Sequence, residues 1–225
     1  MSELRFVRMG FGADAVEYQE AWDEQRRVHA ARFADEVPDT VLLLEHPPVY
    51  TVGRRSEDDD LPQGSFGIDV VQTPRGGKLT YHGPGQLVGY PIMHVASVPE
   101  YILTMERAIV TALGDAGVAA ATKLGHRHVG VWVGERKIAS VGVHLSHGVS
   151  SHGFAVNVDN DLDPFTWVVA CGLPDVQMTS MAAESASEGV TCFRKRMGHA
   201  FCEAFGFRQR LISPARLGVG EPVVA

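Results

Sequence analysis

Long apolar runs, a basic leader and paired cysteines are all missing from this sequence. No stretch of about 18 uncharged apolar residues occurs, so we expect no membrane-spanning helix. The first residues show no basic segment followed by an apolar one, so we expect no secretory signal. The three cysteines are an odd number at irregular spacing, which argues against a disulfide framework. These absences predict a soluble, cytoplasmic protein that does not associate with membranes.

An excess of positive charge is also missing. The chain has 20 Lys and Arg residues against 27 Asp and Glu, a formal net charge of −7. Because proteins that bind nucleic acids generally present a basic surface, we expect no nucleic-acid partner. The 225 residues, 45% of them hydrophobic, suffice for one buried core. We therefore expect a single domain over residues 1–225, with a loose tail at 214–225.

Several short motifs that would define a chemistry are missing as well. The sequence has no phosphate loop, no dinucleotide fingerprint and no G-x-S-x-G nucleophile elbow. Its ten histidines include His126 and His128 on one predicted strand face, and His144, His147 and His152 further on. Structural zinc sites use Cys or His pairs at defined spacing, and no cysteine pairs with these histidines. We therefore expect no metal site.

The apolar pattern predicts an α+β fold. Helices are expected over about Asp14–Phe33, from Val98 onward behind the capping box Ser97–Glu100, and over about Thr191–Phe205. Strands are expected at Thr40–Glu45, Val49–Val52, Asp69–Thr73, Leu87–Met93, Val129–Val133, Lys137–Leu145, His152–Val158 and Gln209–Ile212. The charged residues 54–68 are interpreted as a mobile, solvated surface loop.

A glycine-rich, basic loop lies between two of the predicted strands. It runs from Arg75 to Gln86 and has four glycines in twelve residues. Glycine permits positive φ and lets backbone N–H groups approach a ligand closely. Arg75, Lys78 and His82 would then face an anion or a carbonyl oxygen. A hairpin turn and a ligand loop are both compatible with this pattern, and the density of polar residues between apolar strands favours the ligand loop.

Cys171 is the cysteine whose surroundings fit a nucleophile. It lies in a predicted turn next to Gly172, whereas Cys192 and Cys202 fall on different sides of the last predicted helix and are interpreted as packing residues. A free thiol has a pKa of about 8.5, so a nearby ammonium is needed to hold it as thiolate at neutral pH. Lys137, at the start of an apolar strand, is a candidate. Taken alone, an inert buried cysteine and a snorkelling lysine remain the alternatives.

Five segments carry a resemblance to a known family. They are Arg75–Pro91, Lys137–Val143, His152–Asn157, Cys171–Leu173 and Thr179–Met181. Together they resemble the lipoyl(octanoyl) transferases, which move an octanoyl group from acyl carrier protein onto a lysine of a lipoyl domain. The similarity extends over about residues 38–213, and the first segment is long and specific. Two positions depart from the family pattern: Ala170 stands where Pro is expected, and Lys78 where many members have Gln.

The resemblance implies a fold, a mechanism and partners. The implied fold is that of biotin and lipoate protein ligases, a mixed, largely antiparallel sheet flanked by helices. Cys171 is implied as the acyl-thioester nucleophile, and Lys137 as the residue that lowers its pKa. The implied substrate-binding residues are Arg75, Gly76, Gly77, Lys78, Leu79, Thr80, Tyr81, His82, Ser140, Val141, Gly142, Gly153, Phe154 and Ala155.

The same resemblance implies no cofactor and no metal, because the octanoyl group arrives on the phosphopantetheine arm of acyl carrier protein. The implied acceptors are the lipoyl domains of 2-oxoacid dehydrogenase acyltransferase subunits and the glycine cleavage H protein. Because these partners are generally acidic, a local basic surface is expected. Its members would be Arg54, Arg55, Arg75, Lys78, Lys123, Arg127 and Arg136.

Some alternatives stay open at the level of sequence. An ATP-dependent lipoate or biotin ligase on the same fold would activate the acid as an adenylate and need no cysteine nucleophile. A non-catalytic acyl-binding module would need no reactive thiol. Within a transferase, the base for the incoming lysine is either Lys137 or the departing thiolate. The oxyanion is stabilised either by N–H groups near Gly172 or by His82.

Overall fold

An eight-stranded mixed sheet is the largest element of the protein. The computed structural model describes residues 2–62, 67–125, 128–168 and 176–217. Within these ranges the helices are α1 (Tyr18–Phe33), α2 (Val98–Asp115) and α3 (Val190–Phe205). The strands are β1 (Glu3–Arg8), β2 (Thr40–Leu44), β3 (Val49–Val52), β4 (Asp69–Gln72), β5 (Thr80–His82), β6 (Gln86–Ile92), β7 (Ala121–Thr122), β8 (Val131–Val133), β9 (Arg136–Ser146), β10 (Val149–Asn157) and β11 (Arg208–Ile212).

The strand order gives the large sheet its mixed character. The order is β11-β1-β2-β6-β10-β9-β8-β7. β1 runs parallel to both β11 and β2, and every other neighbouring pair is antiparallel. β3 lies between β4 and β5 in a separate three-stranded sheet. The expected mixed, largely antiparallel sheet flanked by helices is confirmed.

The central strands are buried because helices cover both faces of the sheet. Every residue of β2 and β6 is buried. Side chains alternate between the two faces of a strand. In β2, Val41 and Leu43 join the core cluster that contains α2 and α3, whereas Leu42 and Leu44 join the cluster that contains α1. Two covered faces explain why this strand is a continuous apolar run in the sequence.

Helices α2 and α3 pack together through apolar stripes. Tyr101, Met105 and Ile109 of α2 share one cluster with Phe193 and Phe201 of α3. Burying side chains of this size stabilises the fold by roughly 1.5–3 kcal/mol each. None of the helices in the described part of the chain is both long and apolar enough to cross a bilayer.

Several predicted boundaries differ in the structure. α1 begins at Tyr18 rather than Asp14, because Gly12–Asp14 forms a separate 3-10 turn. Pro99 lies in the first turn of α2 as expected, but the Ser97 side chain makes no capping hydrogen bond, so the predicted capping box is wrong. Strands β1, β5 and β7 are not among the predicted ones. β5 and β7 have only three and two residues, whereas β1 has six and pairs with strands distant in the sequence.

The cysteines of α3 have different environments. Cys202 is buried in the core, as its interpretation as a packing residue requires, and burial raises its pKa to about 11. Cys192 is exposed, so the same interpretation is wrong for it. The two residues are ten apart, which places them on different sides of a helix with 3.6 residues per turn.

Replacing Gly89 by Ala should destabilise the protein, whereas Gly114→Ala should stabilise it. A Cβ at Gly89 would lie 2.2 Å from Cζ of Phe154, and overpacking of this kind costs about 1–3 kcal/mol. A Cβ at Gly114, inside α2, would meet no atom within 4 Å, and Ala there adds roughly 0.5–1 kcal/mol. Urea unfolding of both variants measures the difference. Equal midpoints would contradict this packing.

Candidate active site

A cavity of about 640 Å³ lies against β9 and β10. The three predicted substrate-binding segments meet at it, together with Lys137. Helix α2 contributes Val98 and Ile102, and α1 contributes Tyr18. The lining residues are Tyr18, Arg55, Glu57, Arg75, Gly76, Gly77, Lys78, Thr80, His82, Tyr90, Val98, Ile102, Val129, Lys137, Ser140, Val141, Gly142, Val143, His152, Gly153, Phe154 and Ala155.

Two residues of the first predicted segment do not line this cavity. Leu79 and Tyr81 are buried in a separate cluster with Tyr50 and Phe165. Because side chains alternate along β5, its other two residues, Thr80 and His82, line the cavity. The structure therefore gives Leu79 and Tyr81 a packing role.

Arg75 is part of the framework of the site. Its side chain is buried, and Nη2 donates to the carbonyl oxygen of Thr51 at 2.5 Å. Nη1 donates to the carbonyl oxygens of Gly76 at 3.1 Å and Lys78 at 2.8 Å, and Nε donates to Oγ1 of Thr51 at 3.3 Å. The guanidinium thus faces carbonyl oxygens, as the sequence predicts, but they belong to the protein itself. Its assignment to a basic surface is wrong, because the group is buried.

The predicted substrate-binding glycines have a packing requirement of their own. Gly76 N donates to the carbonyl oxygen of Val143 at 2.9 Å, which ties the loop to β9. A Cβ at Gly142 would lie 2.9 Å from the carbonyl oxygen of Gly76, and one at Gly153 would lie 2.3 Å from that of Gly89. Any side chain at Gly142 or Gly153 would therefore push the neighbouring backbone away from the cavity wall.

Lys78 lines the cavity and forms salt bridges with two carboxylates. Its Nζ lies 2.7 Å from Oε2 of Glu57 and 3.1 Å from Oδ2 of Asp60. Hydrogen bonds to these carboxylates raise the pKa of Lys78. Residues Asp58–Asp60 form a 3-10 turn, and Asp60 is buried. The interpretation of this acidic run as purely solvated is therefore wrong at Asp60.

Lys137 is buried, so its interpretation as a snorkelling surface lysine is wrong. Only 3% of the residue is exposed. Its Nζ lies 5.5 Å from the centroid of the Trp132 ring, a cation–π arrangement. Its side chain also packs over Gly130, where a Cβ would lie 2.6 Å from Cε of Lys137. Substitution of Gly130 would thus displace the ammonium.

The proposed nucleophile, Cys171, lies outside the described residues, as do Ala170 and Gly172. The chain that follows is bound to the main chain of Lys137. Lys137 N donates to the carbonyl oxygen of Gln177, and Thr179 N donates to that of Lys137, each at 2.9 Å. Gln177 is six positions after Cys171 in the sequence.

Neutral histidines and tyrosines form a buried polar wall. His46 lies 2.7 Å from the hydroxyl of Tyr90, and the Tyr18 ring stacks on His82 with centroids 6.2 Å apart. Burial lowers the pKa of His46 to about 4. Burial, and then the charge of Arg75, lowers that of His152 to about 3. Burial and the neighbouring His46 hold the pKa of His82 well below its usual value. These rings act as hydrogen-bonding groups rather than charges at neutral pH.

Two other cations expected on the basic surface are paired with carboxylates. Lys123 lies 2.7 Å from Glu135, and Arg136 lies 2.9 Å from Glu184. Arg127 and His126 lie outside the described residues. Within the described ranges, no group of three or more His, Cys, Asp or Glu side chains is arranged to bind a metal ion.

Sequence reasoning missed several residues of the site. Tyr18, Tyr90 and His152 line the cavity although no substrate role was predicted for them. Glu106 of α2 is buried beside the site. The sequence feature that could have identified it is a carboxylate on the apolar face of a helix. His152 has a positive φ of 57°, a strained backbone of the kind that clusters at functional sites.

Solved structures identify the fold class. A lipoate-protein ligase A structure with bound ATP superposes with a TM-score of 0.74 at 16% identity, covering 96% of this chain and 92% of the other. A bipartite lipoate protein ligase from Thermoplasma acidophilum gives a TM-score of 0.73 at 15% identity, covering 97% and 89%. At such low identity the likeness establishes the fold alone. The fold is that of the lipoate protein ligases.

Sequence comparison specifies the family. Residues 17–202 match the model of the lipoyl protein ligase A/B catalytic domain. An octanoyltransferase of Streptomyces coelicolor is 44% identical, covering 82% of this chain and 86% of the relative. One of Thermobifida fusca is 45% identical, covering 82% and 81%. The chain belongs to the lipoyl protein ligase A/B family and, within it, to the octanoyltransferases, which confirms the family resemblance of its motifs.

The buried histidines should make the protein less stable as pH falls below about 6.5. The unfolded chain binds a proton at each His near pH 6.5, whereas folded His46 and His152 do so only near 4 and 3. Between these limits each group lowers the free energy of unfolding by about 1.4 kcal/mol per pH unit. Urea unfolding as a function of pH should give a shallower slope for His46→Asn than for the wild type. An equal slope in His46→Asn and the wild type would contradict the burial of a neutral His46.

Proposed function

We propose that this protein transfers an octanoyl group from octanoyl-acyl carrier protein to a lysine of lipoyl domains, through a thioester on Cys171. The main observation in favour is that Lys137 and the segments matching the family's substrate-binding residues line one cavity in a member of the octanoyltransferases. The reaction requires no resident cofactor or metal, because the donor brings the acyl group already activated. We place it in the cytoplasm, where a free thiol stays reduced.

Chain geometry supports the pairing of Cys171 with Lys137. An extended chain spans at most about 3.6 Å per residue, so Cys171 lies within about 22 Å of Gln177. Gln177 is hydrogen-bonded to the main chain of Lys137, so six residues of chain connect Cys171 to a position fixed beside this lysine. The proposal is that this connection presents the thiol to the buried ammonium. An ammonium at short range favours the thiolate by charge.

The proposed chemistry has two balanced steps. The Cys171 thiolate attacks the donor carbonyl, a new C–S bond forms, and the phosphopantetheine C–S bond breaks to release its thiolate. This exchange of one thioester for another is nearly isoenergetic. In the second step the amine of the acceptor lysine attacks the acyl-enzyme, a C–N bond forms, and the Cys171 C–S bond breaks. The amine loses one proton to the base, and the stable amide makes this step downhill.

The structure favours backbone donors over His82 for the oxyanion. Both ring nitrogens of His82 have partners within the protein: Nδ1 lies 2.7 Å from Oε1 of Gln86, and Nε2 lies 3.4 Å from Oγ1 of Thr51. Using His82 as a donor to substrate would break one of these contacts in a buried site. Backbone N–H groups near Gly172 are therefore the proposed donors.

Apolar side chains in the cavity suit an acyl chain. Ile102, Val141, Val143 and Phe154 line it. Burying an eight-carbon chain contributes roughly 5 kcal/mol gross, at about 0.8 kcal/mol per methylene. A chain shorter by two carbons therefore loses only about 1.6 kcal/mol. Longer chains gain as much, so selection against them requires a steric end to the pocket.

The relatives favour transfer over the two alternatives. An ATP-dependent ligase has the same fold, as the ATP-bound lipoate-protein ligase illustrates. The similar proteins with 44% and 45% identity, however, are octanoyltransferases. We propose the lipoyl domains of 2-oxoacid dehydrogenase acyltransferase subunits and the glycine cleavage H protein as acceptors. Arg55, which lines the cavity, is a cation able to meet an acidic partner there.

Incubation with octanoyl-acyl carrier protein, without ATP, should add one octanoyl group to Cys171. Intact mass before and after hydroxylamine detects the thioester, and peptide mapping locates it. The adduct and the turnover should be lost in Cys171→Ser. Cys192→Ser is the matched control, because Cys192 is the exposed competing thiol, and it should keep both. An adduct on another residue, or transfer that requires ATP, would contradict the proposal.

Lys137→Ala should raise the pH midpoint of Cys171 alkylation by about one unit or more, because the ammonium that favours the thiolate is gone. The rate of iodoacetamide labelling at Cys171 measures this, in a Cys192→Ser background. Lys123→Ala is the control: its Nζ also lies over the Trp132 ring, at 4.5 Å, but it is paired with Glu135. It should leave the midpoint unchanged. An unaltered profile in Lys137→Ala would remove the activating role.

A further inference from the structure

Glu106 is a buried carboxylate that the proposed reaction does not use. It lies on α2 one turn after Ile102, which lines the cavity, and between the core residues Met105 and Ile109. Only 6% of the residue is exposed. A carboxylate at such a position is costly unless it is hydrogen-bonded and paired with a charge, so its partners indicate its purpose.

The partners of Glu106 lead to Lys137. Gly130 N donates to Oε1 of Glu106 at 2.6 Å. Gly130 has a φ of 130°, and the place of its missing Cβ lies 2.6 Å from Cε and 3.2 Å from Nζ of Lys137. The ammonium therefore packs on the same residue whose N–H binds the carboxylate. Burial raises the pKa of Glu106, while the Gly130 N–H and the charge of Lys137 act in the opposite direction.

Other charged groups described near this pair have partners of their own. On the loop before β8, Lys123 pairs with Glu135, and the His128 ring contacts Trp132 with centroids 6.0 Å apart. Arg136 of β9, next to Lys137 in the sequence, pairs with Glu184. Within the described residues, Glu106 is thus a buried carboxylate on which the charge of Lys137 acts.

We propose that Glu106 is a positioning residue for Lys137: its carboxylate supplies the counter-charge that holds the ammonium folded over Gly130. The inference rests on the proposed function for its catalytic meaning. An ammonium held in this way activates Cys171 as a fixed charge and does not act as the base. The proton of the acceptor amine then goes to the departing Cys171 thiolate. Of the two bases compatible with the sequence, Lys137 and the thiolate, the proposal therefore selects the thiolate.

The titration of Lys137 tests the pairing directly. In a Cys171→Ser background, the ¹³Cε resonance of Lys137, identified by its loss in Lys137→Arg, reports the charge of the ammonium as pH is varied. Glu106→Gln keeps an oxygen for the Gly130 N–H but removes the charge, and should lower the titration midpoint by on the order of one pH unit. Glu100→Gln, an exposed change on the same helix, should leave it in place.

A second measurement covers the case in which Glu106→Gln does not fold. The ¹³Cδ resonance of Glu106 should titrate at higher pH in Lys137→Met than in the wild type, since coupling between two sites is reciprocal. With Cys171 present, the rate of acyl-enzyme formation is measured against pH. The alkaline limb of this profile should shift to lower pH in Glu106→Gln by as much as the titration midpoint of Lys137.

Equal midpoints in Glu106→Gln and wild type, or an unmoved Glu106 titration in Lys137→Met, would overturn the pairing. Loss of activity in Glu106→Gln with an unmoved pH profile would also overturn it, because that is the result of a purely structural role. A wild-type protein that forms no acyl-enzyme would instead count against the proposed function. The two titrations would still decide whether Glu106 pairs with Lys137.

Discussion

The buried guanidinium of Arg75 ties together the parts from which the site is built. Its hydrogen bonds to Thr51 attach the glycine-rich loop to the small sheet, and those to Gly76 and Lys78 fix the shape of the loop. The loop is then hydrogen-bonded to β9 through the Val143 carbonyl. Because a buried charge must have its donors satisfied, this residue specifies one loop conformation. The cavity wall depends on that conformation.

The same charge shapes the electrostatics of the cavity. Arg75 and burial together keep the imidazole of His152 neutral, and burial does the same for His46 and His82. Were these rings charged at neutral pH, they would repel both Arg75 and any cation at the mouth of the site. A neutral polar wall instead leaves Lys137 as a cation placed among apolar groups and beside the Trp132 ring.

The sequence predicts the fold and the site to different degrees, for physical reasons. The short, continuously apolar strand β2 and the amphipathic stripes of α2 and α3 are evident in the local sequence and are recovered. The roles of Arg75 and Glu106 are not, because the burial of a charged side chain depends on partners far away in the chain, such as Thr51 and Gly130. The glycine-rich loop is intermediate. Its location is evident from composition, but only the packing reveals that the loop approaches β9 so closely at Gly76 that Gly142 must lack a side chain.

The surroundings of the buried Lys137 also affect the relative free energies of the free enzyme and the acyl-enzyme in the proposed cycle. In the proposed cycle, the Cys171 thiolate of the free enzyme is paired with the Lys137 ammonium, and acylation of Cys171 removes that negative charge. An isolated ammonium in a buried site would then be strongly destabilised, and the acyl-enzyme would be disfavoured. The Trp132 face and the carboxylate of Glu106 remain in both states. These two groups keep the free-energy difference between the thiolate state and the thioester state of the enzyme small, as a nearly isoenergetic exchange requires.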